Sequence, residues 1–334
     1  MKLPDRILLS RTDRIGDVLL CFPVAAFLKS IKPGIFIGFL GTAYTRELIE
    51  HCGYIDRFED REDFLHSSEN PGYDAIVHLY PDARVARKAA ALRIPIRVGI
   101  RNKLRLWPSF THSILLSRKR SQLHEAELNL QLLRVFDTGT LPGLSDIRHM
   151  KLLNLPAVPV QRAAPRVVIH PFSGGSAPEW PLQRYAELVR LLRPRNFDIS
   201  VSGAVGEKEK VNTWLSDEKL QVHNICGQYS LGGFIHRLQQ SDILVASSTG
   251  PLHIAAAMGK VAIGIYSPMR PVFARRWGPA GPFSRALSAG KACGRCSRNP
   301  QQCICIATVD AQAVFCEIKN LLAEKYEKED YAAG

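Results

Sequence analysis

Residues 247–259 read SSTGPLHIAAAMG, and a greasy run, Ile243-Leu244-Val245-Ala246, leads into them. The chain leaves a buried strand through two serines, a threonine, a glycine and a proline, then opens a helix of small residues. Ser248 or Thr249 can cap that helix, Gly250 keeps the turn slim, and Pro251 suits a first turn. Ala255, Ala256 and Ala257 allow close packing. The helix start points unpaired N–H groups and a partial positive charge out of the strand end. That combination describes an anion site of the kind that holds a diphosphate. His253 stands in the first turn, where it can be a packed core residue or can face the ligand.

The same rhythm runs outward in both directions. Arg6–Ser10, Ile35–Leu40, Asp74–Leu79 and Ile96–Ile100 read as strands. Val18–Lys32 (with Pro23 in its first turns), Thr42–Cys52, Arg84–Leu92 and His124–Phe136 read as helices. After a proline- and glycine-rich stretch, 139–165, the pattern restarts. Strands are expected at Arg166–His170, Asp198–Ser202, Val222–Ile225, Ile243–Ala246 and Val261–Tyr266. Helices are expected at Leu182–Leu192, Glu207–Leu215, Leu231–Gln240, Pro251–Met258 and Val309–Lys325. Alternating strands and helices imply mostly parallel sheets with covered faces. The expected organisation is an α/β domain over 1–150, a linker over 151–165, a second α/β domain over 166–322 and a tail over 323–334. The last helix is free to pack back on the first domain. Two such domains place a cleft at their interface, and open α/β sheets bind ligands at the carboxyl ends of their strands.

Composition narrows the function classes. The chain has 334 residues, 46% of them hydrophobic, which is enough for two cores. No apolar run approaches the roughly 20 residues of a membrane span. Charges interrupt and follow the short apolar stretch at the N-terminus, so it makes a poor signal peptide and a cytoplasmic protein is expected. The net charge of +13 suggests a phosphorylated substrate, an anionic membrane face or nucleic acid. The basic residues gather in 84–105 and 118–120 without an aromatic-interleaved nucleic-acid module, so nucleic acid is not an expected partner.

Three further strand exits carry polar motifs. LLSRTDRIGDVLLCFP places Gly16 and Asp17 between a strand and a helix. Asp17 can cap the helix or serve as a carboxylate that accepts a proton from a substrate hydroxyl. Arg11 and Arg14 suit an anionic acceptor or are merely solvated. HPFSGGSAPEWP brings Ser173 and Gly174 to a turn before a helix that starts after Trp180-Pro181. SGAVGEKEKV puts Glu207 at another helix start, where it can cap the helix or accept both hydroxyls of a ribose. There is no G-x-G-x-x-G after the first strand and no G-x-x-x-x-G-K-[ST], so neither a standard dinucleotide site nor a P-loop is expected. Without an Asp-x-Asp pair, leaving-group charge would fall to helix dipoles and polar side chains.

RTDRIGD near the N-terminus, a Ser/Gly loop before W-P, a G-x-x-x-E turn and STGPLHIAAA together resemble glycosyltransferase family 9, the ADP-heptose:lipopolysaccharide heptosyltransferases. The resemblance covers nearly the whole chain. It implies a GT-B fold of two Rossmann-like domains and an inverting, metal-independent transfer. It implies a nucleoside-diphosphate sugar (ADP-heptose or similar) bound mainly by the second domain. It also implies a lipid A-core or related glycan acceptor, met at the inner face of the inner membrane. By the same resemblance Asp17 is the base, Glu207 contacts the nucleotide, and Thr249, Gly250 and His253 hold diphosphate and sugar. From their places at the strand exits, Arg11, Arg14 and Gly16 are candidate acceptor contacts, and Ser173, Gly174 and Ser248 are further candidate donor contacts. Two positions depart from the family. Pro178, with Glu179 next to it, stands where a lysine neutralises the diphosphate, and Ser248 stands where an aspartate contacts the donor sugar. The Arg275–Arg276 pair is a candidate replacement for the lysine, and the donor sugar stays open. A sugar-nucleotide-binding protein without turnover, or an epimerase or hydrolase of a nucleotide sugar, are the alternative readings.

Cys293, Cys296, Cys303 and Cys305 form C-x-x-C followed by C-x-C. Four thiolates could hold a structural zinc, and a reduced loop or a disulfide staple is the other reading.

Overall fold

A computed structural model describes residues 1–101, 104–118, 120–158, 164–290 and 303–333. The chain divides into two compact units, Met1–Leu155 and Pro156–Gly334. Each unit is built on a parallel sheet. In the first, β1 (Arg6–Ser10), β2 (Phe36–Gly41), β3 (Arg57–Asp60), β4 (Ala75–His78), β5 (Ile96–Ile100) and β6 (His112–Ile114) lie in the order β3-β2-β1-β4-β5-β6. In the second, β7 (Arg166–His170), β8 (Asp198–Val201), β9 (His223–Asn224), β10 (Ile243–Ser247), β11 (Val261–Tyr266) and β12 (Ser284–Ser288) lie in the order β12-β11-β10-β7-β8-β9. The two orders are equivalent: each half of the strand set winds away from a central pair. That pair is β1/β4 in the first unit and β7/β10 in the second. Between its members the winding direction reverses, which opens a crevice at the carboxyl ends of the strands.

The helices of the first unit are α1 (Ile15–Leu19), α2 (Phe22–Ile31), α3 (Arg46–Glu50), α4 (Arg61–His66), α5 (Ala83–Ala91), α6 (Glu125–Leu130) and α7 (Leu144–Ile147). Those of the second are α8 (Leu182–Leu192), α9 (Lys208–Asp217), α10 (Leu231–Gln239), α11 (Gly250–Ala257), α12 (Ala274–Trp277) and α13 (Ala311–Ala333). The central strands are buried along most of their length, as parallel strands covered on both faces must be. In the first unit Leu8, Leu40, Phe64, Tyr73, Ile76 and Val85 pack in one cluster. In the second, Val167, Ile169, Trp180, Tyr185, Phe315 and Ile318 belong to the main core. Helix α8 buries Tyr185, Ala186, Leu188, Val189 and Leu192, the spacing of a single helical face. No helix among the described residues is long and apolar enough to cross a membrane.

Several expected elements change form. The helix expected over Val18–Lys32 is two helices, α1 and α2, broken at Leu20-Cys21. Pro23 lacks an N–H and its ring would meet the carbonyl four residues back, so it is accommodated only by restarting the helix one residue before it. The helix expected over Thr42–Cys52 is a 3₁₀ turn, Ala43–Thr45, followed by α3. The long helix expected over His124–Phe136 is α6 followed by a 3₁₀ segment, Gln131–Val135. Strands β3, β6 and β12 and helix α4 were absent from the sequence reading. The proline-rich connector contains α7, and Leu153 in it bridges Cys52 antiparallel. Helix α13 continues through the expected tail and packs on α8, β11 and β12 of its own unit.

Candidate functional site

In the first unit the candidate residues gather at the β1/β4 pair. Arg11 follows β1 directly and is 2% exposed. Its Nε donates to Asp13 Oδ1 at 2.6 Å, one terminal nitrogen donates to Asp17 Oδ1, and the other donates to Glu125 Oε1 at 3.3 Å. The guanidinium carbon also lies 5.1 Å from the ring centre of Tyr80, in the loop after β4. Arg11 is therefore engaged by carboxylates on every edge of its fork, and Arg14, which is exposed, is the arginine here that faces solvent. The N-cap of α1 is Arg14, in extended conformation, and Asp17 sits in the first turn three residues on. Asp17 thus caps nothing. Its carboxylate is pinned by Arg11 with its side chain only 18% exposed. Burial pushes the Asp17 carboxyl up to about 6, while the Arg11 guanidinium pulls it down and the charges of Asp13 and Glu125 push it up further. Gly16 is buried beside it.

Behind this pair lies a network that the sequence reading missed. Glu125, at the start of α6, is 1% exposed. Its Oε1 also accepts from Arg118, whose other terminal nitrogen donates to the Leu79 carbonyl and to Asn129 Oδ1 at 3.0 Å. Asn129 Nδ2 then donates to the Leu20 carbonyl at 2.9 Å. The signal was available: in LHEAELNLQLL, Glu125 and Asn129 are spaced i, i+4, so they share a face of a helix whose neighbours are apolar. Polar residues buried there need partners. Ser10 and His78, neighbours in register on β1 and β4, are fully buried, and burial pushes the His78 imidazole down to about 3.

In the second unit the candidate residues gather at the β7/β10 pair. Ser173 to Ser176 form a tight turn closed by Ser176 N–H donating to the Ser173 carbonyl at 3.1 Å. Gly174 and Gly175 both have positive φ, 55° and 76°, the pair of left-handed conformations this turn type demands of its centre. Glu179 fixes the turn from below: its Oε1 accepts from Ser173 N–H at 2.7 Å and from Ser173 Oγ at 3.0 Å. The acidic residue next to Pro178 is thus a loop anchor. Ser176 Oγ donates to the Ser248 carbonyl at 3.4 Å, and Trp180 N–H donates to Ser247 Oγ at 3.0 Å. Those two bonds join the loop after β7 to the loop after β10.

Thr249 occupies the N-cap position of α11. Its hydroxyl makes no capping bond there; Oγ1 is buried with no hydrogen-bond partner among the described residues. Such an atom suits a ligand beside the helix start, with Gly250 opening the first turn and Ser248 half-buried alongside. His253 lies on the buried side of α11, 3% exposed. Glu207 ends a short 3₁₀ turn after β8, and its Oε2 accepts from Ala204 N–H at 2.7 Å, so it caps its own turn. A Cβ at Gly203 would lie 2.7 Å from Glu207 Oε2, so glycine there lets the carboxylate lie against the backbone. Arg275 and Arg276 are on α12, in the connection after β11; Arg275 is exposed and Arg276 covers the Trp277 ring at 4.9 Å. Cys293 and Cys296 lie outside the described residues. Cys303 and Cys305 are buried, and Cys303 Sγ is 2.9 Å from Ser267 Oγ. Among the described residues no group of three or more metal-ligating side chains comes together.

Known proteins are similar to this chain in sequence and in fold. The family model for glycosyltransferase family 9 (heptosyltransferase) matches residues 64–305. A Haemophilus influenzae protein named "Putative glycosyltransferase" is 27% identical over 302 residues, covering 82% of this chain and 86% of the relative. Lipopolysaccharide heptosyltransferase 2 of Salmonella typhimurium is 21% identical over 299 residues, covering 80% of this chain and 84% of that one. Among solved structures, E. coli ADP-heptose lipopolysaccharide heptosyltransferase II superposes with a TM-score of 0.74 at 19% identity, covering 98% of this chain and 100% of that one. Both sheets, their strand orders and the switch-point loops are thus those of a GT-B fold. The chain belongs to glycosyltransferase family 9, the heptosyltransferase family, and is a glycosyltransferase.

Proposed function

We propose that the protein transfers a heptose or similar sugar from a nucleoside diphosphate to a lipid A-core or related surface-glycan hydroxyl, with inversion at the anomeric carbon. The observation that carries this reading is Asp17, a largely buried carboxylate at the carboxyl edge of the β1/β4 pair, pinned by Arg11 and pushed up to about 6. A carboxylate with that proton affinity is ionised at neutral pH and basic enough to accept a hydroxyl proton as the hydroxyl attacks. In the proposed step the acceptor oxygen bonds to the anomeric carbon as the bond from that carbon to the diphosphate oxygen breaks. The proton passes to Asp17 and the electron pair leaves with the nucleoside diphosphate. Arg14, exposed beside Asp17, and Gly16 border the acceptor.

On the second unit, the start of α11 and the Thr249 hydroxyl would take the diphosphate, with the Ser173–Ser176 turn at its side. The buried, unpartnered Thr249 Oγ1 supports this placement. Glu207 would hold the ribose with the oxygen not committed to Ala204. Arg275 is the cation proposed for the role that Pro178 cannot fill. A structural zinc on Cys293, Cys296, Cys303 and Cys305 stays part of the proposal, and metal analysis of the purified protein checks it.

A thermal-shift series with ADP, UDP, GDP and CDP and their sugars tests the donor half. Ligand at about 100 times its Kd stabilises the folded state by roughly 2.7 kcal/mol, which reads as a rise of several degrees. One nucleotide class is expected to give that rise, and Thr249→Val to diminish it. A series in which no nucleoside diphosphate moves the midpoint contradicts the reading.

A further inference from the structure

Asp17 does not own its arginine. The Arg11 fork is divided among Asp13 at 2.6 Å, Glu125 at 3.3 Å and Asp17. Glu125 is bound on the same oxygen by Arg118, which is itself fixed to the Leu79 carbonyl at the end of β4 and to Asn129 on α6. Asn129 in turn holds the Leu20 carbonyl at 2.9 Å, in the turn that ends α1. The frame therefore ties the helix carrying Asp17 to α6 and to the end of β4.

Among the described residues, Arg11 and Arg118 meet three carboxylates in this frame, Asp13, Asp17 and Glu125. Glu125 is held by both guanidiniums, and the Asp13 side chain is 34% exposed at the solvent edge. Asp17 is held by a single arm of the Arg11 fork, and the other two arms go to Asp13 and Glu125.

We propose that Glu125 and Asp13 are positioning residues for the transfer: each holds part of the Arg11 guanidinium away from Asp17, so that Asp17 is fixed in place yet keeps its ability to accept a proton. This rests on the reading of Asp17 as the base. Among the described residues, the strongest charges acting on Asp17 are Arg11, Asp13 and Glu125, and Arg14, at the N-cap of the same helix, is exposed. Cys21, whose Sγ donates to the Asp17 carbonyl at 3.2 Å, lies behind them, and burial pushes its thiol far up, so it stays neutral. Tyr80 lies beside Arg11.

The test is carboxyl ¹³C NMR on the full-length protein labelled at aspartate, with the Asp17 resonance assigned by its loss in Asp17→Asn. The Asp17 titration midpoint is expected to move to lower pH in Glu125→Gln and in Asp13→Asn, since each variant hands more of Arg11 to Asp17 and removes a like charge. A midpoint that stays put or rises in either variant overturns the proposal. Asp13 is at the solvent edge, so Asp13→Asn decides alone if the buried Glu125→Gln does not fold. The measurement needs neither donor nor acceptor. Failure of the base reading would show separately, as undiminished transfer by Asp17→Asn.

Discussion

Asp17→Asn lowers the rate of sugar transfer by about 10² or more, the ordinary cost of removing a general base. Asparagine keeps the size of the side chain and an oxygen for the Arg11 contact, so the first turn of α1 and the buried frame behind it persist. What is lost is the lone pair with the right proton affinity. The wild-type enzyme carries a second signature of the same group. Burial raises the Asp17 carboxyl to about 6, so the proposed base would be ionised at pH 7 and protonated below about 6. The transfer rate should therefore fall about tenfold per pH unit on the acid side of that value. Asp17→Asn should lose that limb along with the rate. Transfer within about threefold of wild type, with the acid limb intact, would remove Asp17 from the mechanism.

Trp180→Ala has the largest expected effect on stability, about 3–5 kcal/mol. The indole is 1% exposed, packs edge-on against Tyr185 at 4.7 Å and donates Nε1–H to the Val309 carbonyl at 3.0 Å. Truncation leaves a large cavity in the main core of the second unit and a carbonyl without its donor. The bond from the Trp180 backbone N–H to Ser247, the last residue of β10, is kept by alanine, so the loss falls on the core. Denaturant unfolding should show a lower midpoint for Trp180→Ala and a smaller loss for Trp180→Phe, which keeps most of the volume. A destabilisation below about 1 kcal/mol would mean that the indole does not carry this share of the core.

The alternation of apolar strands and amphipathic helices was legible because the central strands are buried on both faces. Ile243–Ala246 and Val261–Tyr266 read as continuous apolar runs, and both are strands. Of the edge strands, β9 was legible in Val222–Ile225, whereas β3, β6 and β12 were not. RFED, HSI and SRALS lie at sheet edges, half in water, and their short polar sequences carry no hydrophobic period. The candidate site residues stand where a strand exit carries polar turn chemistry. Their local roles were harder to read: Asp17 looked like a cap, yet the cap is Arg14. Arg11 looked free to meet an acceptor, yet three carboxylates occupy it. Partners such as Glu125, distant in sequence, come together only when the strands pair. The family motifs supplied what periodicity could not, namely which of several strand exits to single out as the candidate site.

The central claim, transfer from a nucleoside diphosphate to an acceptor hydroxyl, is tested most directly by measuring nucleoside diphosphate release from the sugar donor selected by thermal shift. The measurement is made with and without lipopolysaccharide core acceptor, and the anomeric configuration of the product is read by NMR. Release that depends on acceptor, with a product of inverted configuration, is the predicted result. Equal release without acceptor, or a product that retains the donor's configuration, would contradict the account.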